Sequence, residues 1–174
     1  MPNILLEKLV VQKSIDAVGL EIDPKKIAIC VGKGLNVIHQ DLNGGLNNFS
    51  DQCFDVVIMT QTLQAVRRPD IMLKEMLRIG KEAIVTFPNF AHYTNRIQLG
   101  LKGHMPISPT LPNPWYNTPN IHLATCSDFN KLCRQMSIKI KDKDFLSNNY
   151  NYAFLASTWP NLFAEVAIYR TGLS

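Results

Sequence analysis

The run Val56-Val57-Ile58-Met59 is apolar at four consecutive positions, with none of the alternation of a strand that shows one face to water. A short stretch of this kind suits a strand buried on both faces, the situation of a parallel sheet covered by helices on either side. Ala17-Val18-Gly19-Leu20, inside a run from Ile15 to Ile22, repeats the pattern. Leu35 to His39 and Glu82 to Phe87 supply two more strands, and the third runs from Cys53 to Met59.

Between these strands the hydrophobic period changes. Ile4 to Gln12 carries Leu5, Leu6, Leu9 and Val10 at helical spacing, with Asn3 as a candidate N-cap. Pro24 opens a second helix that Gly32 and Gly34 stop. Asp70 to Ile79 sets Ile71, Leu73, Met76, Leu77 and Ile79 against Lys74, Glu75 and Arg78, after Pro69 and before Gly80. Strand and helix alternating through short connections imply right-handed crossovers, hence an α/β sheet over about the first ninety residues.

Further along, Asp128 to Met136 reads as a helix, Ile138 to Phe145 as an alternating strand with one wet face, and Leu162 to Arg170 as a final strand. A polar loop without a helical period joins the last two, which predicts an antiparallel pair. Residues 88 to 126 form a proline- and aromatic-rich insertion: six of the ten prolines lie between Pro88 and Pro119, accompanied by Phe90, Tyr93, Trp115 and Tyr116. A connection of this length inside a compact domain is usually functional, and its aromatic content argues against disorder.

At 174 residues the chain has the size of one domain, and 46% apolar with 18% charged residues is the composition of a folded protein. A net charge of +4, spread thinly, offers no continuous track for a nucleic-acid backbone. No apolar run approaches the roughly twenty residues of a membrane span. The first residues lack the basic and apolar regions of a secretory signal, so the cytoplasm is the expected compartment. Cys30, Cys53, Cys126 and Cys133 show no C-x-x-C spacing, and with His92, His104 and His122 equally unpatterned no metal site is expected.

Ligands of doubly wound sheets lie beyond the carboxyl ends of the strands. Glu21 and Asp23 end the first run, Asp41 follows the second, Thr60-Gln61-Thr62 the third and Pro88-Asn89 the fourth. Glu21 is placed to accept hydrogen bonds from two ribose hydroxyls, while Asp23, just ahead of Pro24, equally suits a helix cap. Asp41 could meet a purine amine or simply open the Gly/Asn-rich loop as an Asx turn, and Gln61, Thr62 and Gln64 could line a polar pocket. Trp115 and Tyr116 are anchor-type aromatics, with Arg67 or Arg96 able to complement an acidic partner; the alternative is that the aromatics pack the insertion onto its own domain.

The strings Gly19-Leu20-Glu21-Ile22-Asp23-Pro24, Asp55 through Pro69 with its core Gln61-Thr62-Leu63-Gln64-Ala65-Val66-Arg67-Arg68-Pro69, Phe87-Pro88-Asn89-Phe90, and Trp115-Tyr116-Asn117-Thr118-Pro119-Asn120-Ile121-His122 resemble the methionine biosynthesis protein MetW family over nearly the whole chain. The resemblance implies the S-adenosylmethionine-dependent methyltransferase-like Rossmann fold: seven strands, mostly parallel, with one antiparallel strand near the C-terminus. It implies cofactor contacts from Glu21 to the ribose and Asp41 beside the adenine, with Asp23 and Gln61 in the same group. It also implies a partner, homoserine O-acyltransferase, for which Trp115, Tyr116, His122 and Arg67 are the candidate contacts. The alternative within the resemblance is a small-molecule methyltransferase.

One departure stands out. The family begins with a strand ending in a glycine-rich turn, D-L-G-C-G-x-G, and residues 1 to 174 contain no such motif. The strands at Ile15 and Cys53 then lack the neighbour expected between them, and the cofactor lacks its usual cradle. The simplest expectation is a reading frame that begins upstream, because every later element is present. No catalytic residue is assigned. His92 or His122 could serve as a base, but methyl transfer chiefly needs alignment, and no acceptor-orienting N-P-P-Y, Ser-His-Asp order or P-loop occurs.

Overall fold

The computed structural model describes residues 4 to 147 and 153 to 173, so the candidate cap Asn3 lies outside the described residues. The chain forms two compact units, Met1–Gly45 and Leu46–Ser174.

In the first unit, helix α1 (Ile4–Glu7) runs on as a wider π-type turn over Lys8–Gln12, followed by β1 (Gly19–Glu21), α2 (Pro24–Gly32) and β2 (Val37–His39). β1 and β2 pair in parallel, Gly19 opposite Val37 and Glu21 opposite His39. The expected strand from Ile15 to Ile22 shrinks to three residues because its ladder is only as long as the partner strand. Leu6, Cys30 and Leu35 form the buried centre, with Val10, Ala17 and Val37 packed on it. Gly19 permits that packing: a Cβ there would stand 2.9 Å from Leu6 Cδ2 and 3.4 Å from Val37 Cγ2.

The second unit contains β3 (Phe54–Thr60), α3 (Pro69–Ile79), β4 (Gly80–Pro88), α4 (Tyr93–Lys102), α5 (Cys126–Gln135), β5 (Ile138–Leu146), α6 (Ala153–Thr158), α7 (Pro160–Phe163) and β6 (Val166–Leu173). Its sheet has the order β3-β4-β6-β5. β3 and β4 are parallel, and β6 is antiparallel to both its neighbours. This is the α/β sheet with an antiparallel C-terminal strand that the sequence predicts. Among the described residues no ladder joins the two sheets, so β1 and β3 are each paired on one side only.

Four expectations need correction. The insertion is not all loop: Tyr93–Lys102 is a helix, closed by Gly103 in the left-handed region at φ 65°. The connection between β5 and β6 is helical, since α6 and α7 occupy it; the final strand begins at Val166 because Pro160 starts a helical turn where Leu162 was expected to be extended. Ile71 is 48% exposed while Met72 is buried, so the inner stripe of α3 is Met72, Leu73, Met76, Leu77 and Ile79. β3 is not covered on both faces either: Val56 and Ile58 are 42% and 38% exposed, as an edge strand allows.

The core of this unit centres on β4, whose Ala83, Val85 and Phe87 are fully buried. Phe87 stacks on Tyr169 of β6 with ring centres 5.8 Å apart, and Phe129 of α5 lies 5.1 Å from Phe87 and 4.6 Å from Tyr169. Arg78, at the end of α3, fastens the segment before β3: its guanidinium pairs with Asp51 and Glu75 and donates to the carbonyls of Leu46 and Phe49. Just beyond β4, buried Asn89 donates its amide to the carbonyls of Ala164, Pro160 and Asn161 at 2.8, 3.2 and 3.3 Å, and its Oδ1 accepts from Ala91 N–H. Across the sheet face, Glu82 bridges Arg170 of β6 and Lys141 of β5.

Two predictions follow from these contacts. Asn89→Ala strands buried carbonyls and an amide, so chemical unfolding should show a loss of about 3 kcal/mol. The Arg170 guanidinium, then the Lys141 ammonium, hold the Glu82 carboxyl down from 4.5 to about 2. A depressed folded value means the contribution is complete above 4.5 and disappears as pH falls toward about 2. Urea midpoints measured from neutral pH into that window should therefore fall more steeply for the wild type than for Glu82→Gln.

Candidate functional site

At the carboxyl end of β1, Glu21 turns back on its own backbone. Its Oε1 accepts from Ile22 N–H at 2.9 Å and Asp23 N–H at 3.1 Å, and its Oε2 lies 3.7 Å from Lys26 Nζ. Two backbone donors fix the orientation of the carboxylate. The second oxygen faces only the half-exposed Lys26. Asp23 Oδ1 accepts from Lys25 N–H and caps α2, with Pro24 at the first helical position. Asp41 Oδ1 accepts from both Asn43 N–H and Asn43 Nδ2, the Asx-turn arrangement that opens the Gly/Asn loop. Each of the three carboxylates spends one oxygen on its own backbone turn or cap, and Glu21 sets its second oxygen beside Lys26.

A second group lies at the carboxyl ends of β3 and β4, inside the other unit. Gln61 leaves β3 in the left-handed region at φ 46°, and its N–H is held by Thr86 of β4, 2.9 Å from the carbonyl and 3.0 Å from Oγ1. The turn carries the chain into Gln64, which is buried. Gln64 Nε2 donates to the Gln61 carbonyl at 2.9 Å and to Asn120 Oδ1 at 3.3 Å. Its carbonyl accepts from the N–H groups of Ile121 and His122, each at 3.0 Å. His122 Nε2 lies 3.2 Å from the carbonyl of Arg67. Gln61, Arg67 and His122, read separately in the sequence, thus converge, and the Gln61-to-Pro69 string is clamped to the Trp115-to-His122 string through Gln64. The Oε1 of Gln64 is buried without a hydrogen-bond partner.

Sequence reasoning passed over Thr86 and Asn120. Asn120 carries no spacing signal of its own, and Thr86 sits inside a strand pattern. Trp115 and Tyr116 do not pack the insertion down. They are 72% and 74% exposed and touch each other edge to face at 5.8 Å.

Groups suited to proton transfer or nucleophilic attack are subdued. Burial lowers the affinity of His92 for a proton, and its Nδ1 is engaged at 2.7 Å by Thr94 Oγ1. A cleft of about 560 Å3 is lined by Arg96, Cys126, Ser127, Asn130, Trp159 and Asn161. Its one thiol, Cys126, is pushed up to about 11 by burial and is a neutral thiol at ordinary pH. Among the described residues no cluster of three His, Cys, Asp or Glu could hold a metal ion, and no helix is long and apolar enough to cross a membrane. Among the described residues, neither His92 nor Cys126 is activated for proton transfer or attack.

The profile described as methionine biosynthesis protein MetW matches residues 3–171. A bifunctional methionine biosynthesis protein MetXA/MetW of Rhodopirellula baltica is 36% identical over 151 residues, covering 86% of this chain and 24% of the relative. The chain therefore spans about a quarter of that relative's length. Among solved structures, a SAM-dependent methyltransferase of Thermotoga maritima superposes over 99% of this chain and 80% of its own, with a TM-score of 0.65 at 17% identity. The cyclase SpnF does so over 92% and 67%, with a TM-score of 0.61 at 16% identity. At such identities the structures establish the methyltransferase-like fold, and the profile establishes the lineage: this chain belongs to the MetW family of methionine biosynthesis proteins.

Proposed function

We propose that the chain associates with homoserine O-acyltransferase and supports its activity in methionine biosynthesis, in the cytoplasm. The observation that carries the reading is the Rhodopirellula baltica relative, whose name joins a MetXA part and a MetW part in one polypeptide. The resemblance supplies the identity of the MetXA activity as acyl transfer to homoserine. Fusion gives two modules a high effective concentration for each other, which is useful where they work in contact. The exposed pair Trp115 and Tyr116 suits such contact, since large, half-rigid aromatics dominate interface energetics. Arg67 and His122, exposed and clamped beside Gln64, complete the proposed contacts.

Glu21 favours a second reading, S-adenosylmethionine binding. A strand-end carboxylate oriented by two N–H groups fits ribose hydroxyls, whereas Asp23 and Asp41 are engaged in local turns and Gln61 would serve only through its exposed side chain. The cofactor, when bound, supplies an electrophilic methyl group. A common fold does not carry the reaction with it, as the cyclase of the same fold illustrates.

Two measurements test these readings. Co-elution of the purified chain with the matching acyltransferase should give a complex, and Trp115→Ala should weaken it by about 2 kcal/mol; absence of any complex would refute the association. Calorimetric titration with S-adenosylmethionine should show binding that Glu21→Ala weakens by about 1 to 3 kcal/mol, and an unchanged affinity in the variant would remove Glu21 from the site.

A further inference from the structure

Helix α4 is built the wrong way round for a helix that serves its own core. Its buried residue is Asn95, which donates to the Phe90 carbonyl, and Arg96 Nε is anchored on the Ala91 carbonyl. Its apolar residues face outward: Ile97 is 50% exposed, Leu99 43% and Leu101 83%. Ile97 and Leu101, four residues apart, share a face. The following chain extends the patch, because Gln98 Nε2 donates to the Ile107 carbonyl at 3.3 Å and Ile107 N–H donates to Gln98 Oε1 at 3.2 Å, holding Ile107, itself 55% exposed, against the helix. Ile97, Leu101 and the tethered Ile107 give this side of the helix exposed apolar surface of the kind that marks an interaction site.

The charge around the patch says what would cover it. No Asp or Glu occurs between Glu82 and Asp128, whereas Arg96, Lys102 and three histidines fall in that span. The ion pairs among the described residues leave Arg96 and Lys102 without a carboxylate. A second copy meeting this face with its own would bring two cationic rims together with no carboxylate from residues 83 to 127 on either side, which like-charge repulsion disfavours.

We infer that α4 and residues 103 to 107 extend the surface that docks homoserine O-acyltransferase beyond the contacts assigned to Trp115, Tyr116, Arg67 and His122, and that they meet an acidic, apolar patch on it; this rests on the association proposed above. Leu101 is the central knob, while Arg96 and Lys102 form a basic rim that sets orientation and speeds encounter.

The test is calorimetric titration of the acyltransferase with wild type, Leu101→Glu, Lys102→Glu and Phe154→Glu, each checked for an unchanged melting curve. Leu101 and Phe154 are both highly exposed, at 83% and 77%, so neither change should affect folding. Leu101→Glu should raise Kd at least tenfold, Lys102→Glu severalfold with a weakened salt dependence, and Phe154→Glu should leave Kd unchanged. Wild-type binding with Leu101→Glu within twofold of it would overturn the assignment of the surface and leave the association standing. No wild-type binding would overturn both. If Leu101→Glu instead dissolved a homodimer seen by light scattering and left Kd unchanged, the occupant would be a second copy and the inference would fall.

Discussion

Strand β4 is paired along both edges, parallel to β3 and antiparallel to β6, with Ala83, Val85 and Phe87 shut away from water. The rest of the larger unit is organised by that strand. A chain that leaves α3 at Ile79 enters β4 at Gly80 with no loop between, and it can do so only because Gly80 has no side chain: a Cβ would stand 2.5 Å from Val57 Cγ2. At its far end, Asn89 converts a strand terminus into an anchor for residues 160 to 164 and for the turn leading to α4. Tyr169 and Phe129 then close over Phe87. Each of these contacts spends the same buried area, so the polar loops at the carboxyl ends of β3 and β4 hang from a rigid base.

The sequence carried the parts of this arrangement that depend on local periodicity. The second, third and fourth strands, and α2, α3 and α5 recognised by helical spacing and caps, lie within a few residues of their expected ends, and β6 is antiparallel to β5 as expected, although α6 and α7 stand where a polar loop was to join them. What was not legible depended on the absence of local signals. Helix α4 escaped notice because its apolar residues do not form an inward stripe, and because prolines flanking it suggested loop throughout. Pro160 begins a helical turn that periodicity merged into the last strand. Convergence of Gln61, Gln64, Asn120 and His122 is a tertiary fact, joining residues 56 positions apart by one hydrogen bond from Gln64 to Asn120. No spacing rule could announce it.

At the strand ends Asp23, Asp41 and Gln64 make local caps, turns and clamps, burial pushes the thiols of Cys126 and Cys133 up to about 11, and His92 is desolvated. By contrast the insertion presents Leu101, Trp115 and Tyr116 to solvent in a stretch of chain that has no carboxylate. A fold shared with methyltransferases and a cyclase does not by itself settle what the chain does.

The central claim is that the chain supports homoserine acylation by direct association. Its most direct test is the initial rate of acyl transfer by the purified acyltransferase as the chain is added at increasing ratio, with neither protein altered. The account predicts a rate that rises and saturates once the acyltransferase is fully occupied. A rate that stays flat at large excess of a folded chain would contradict it.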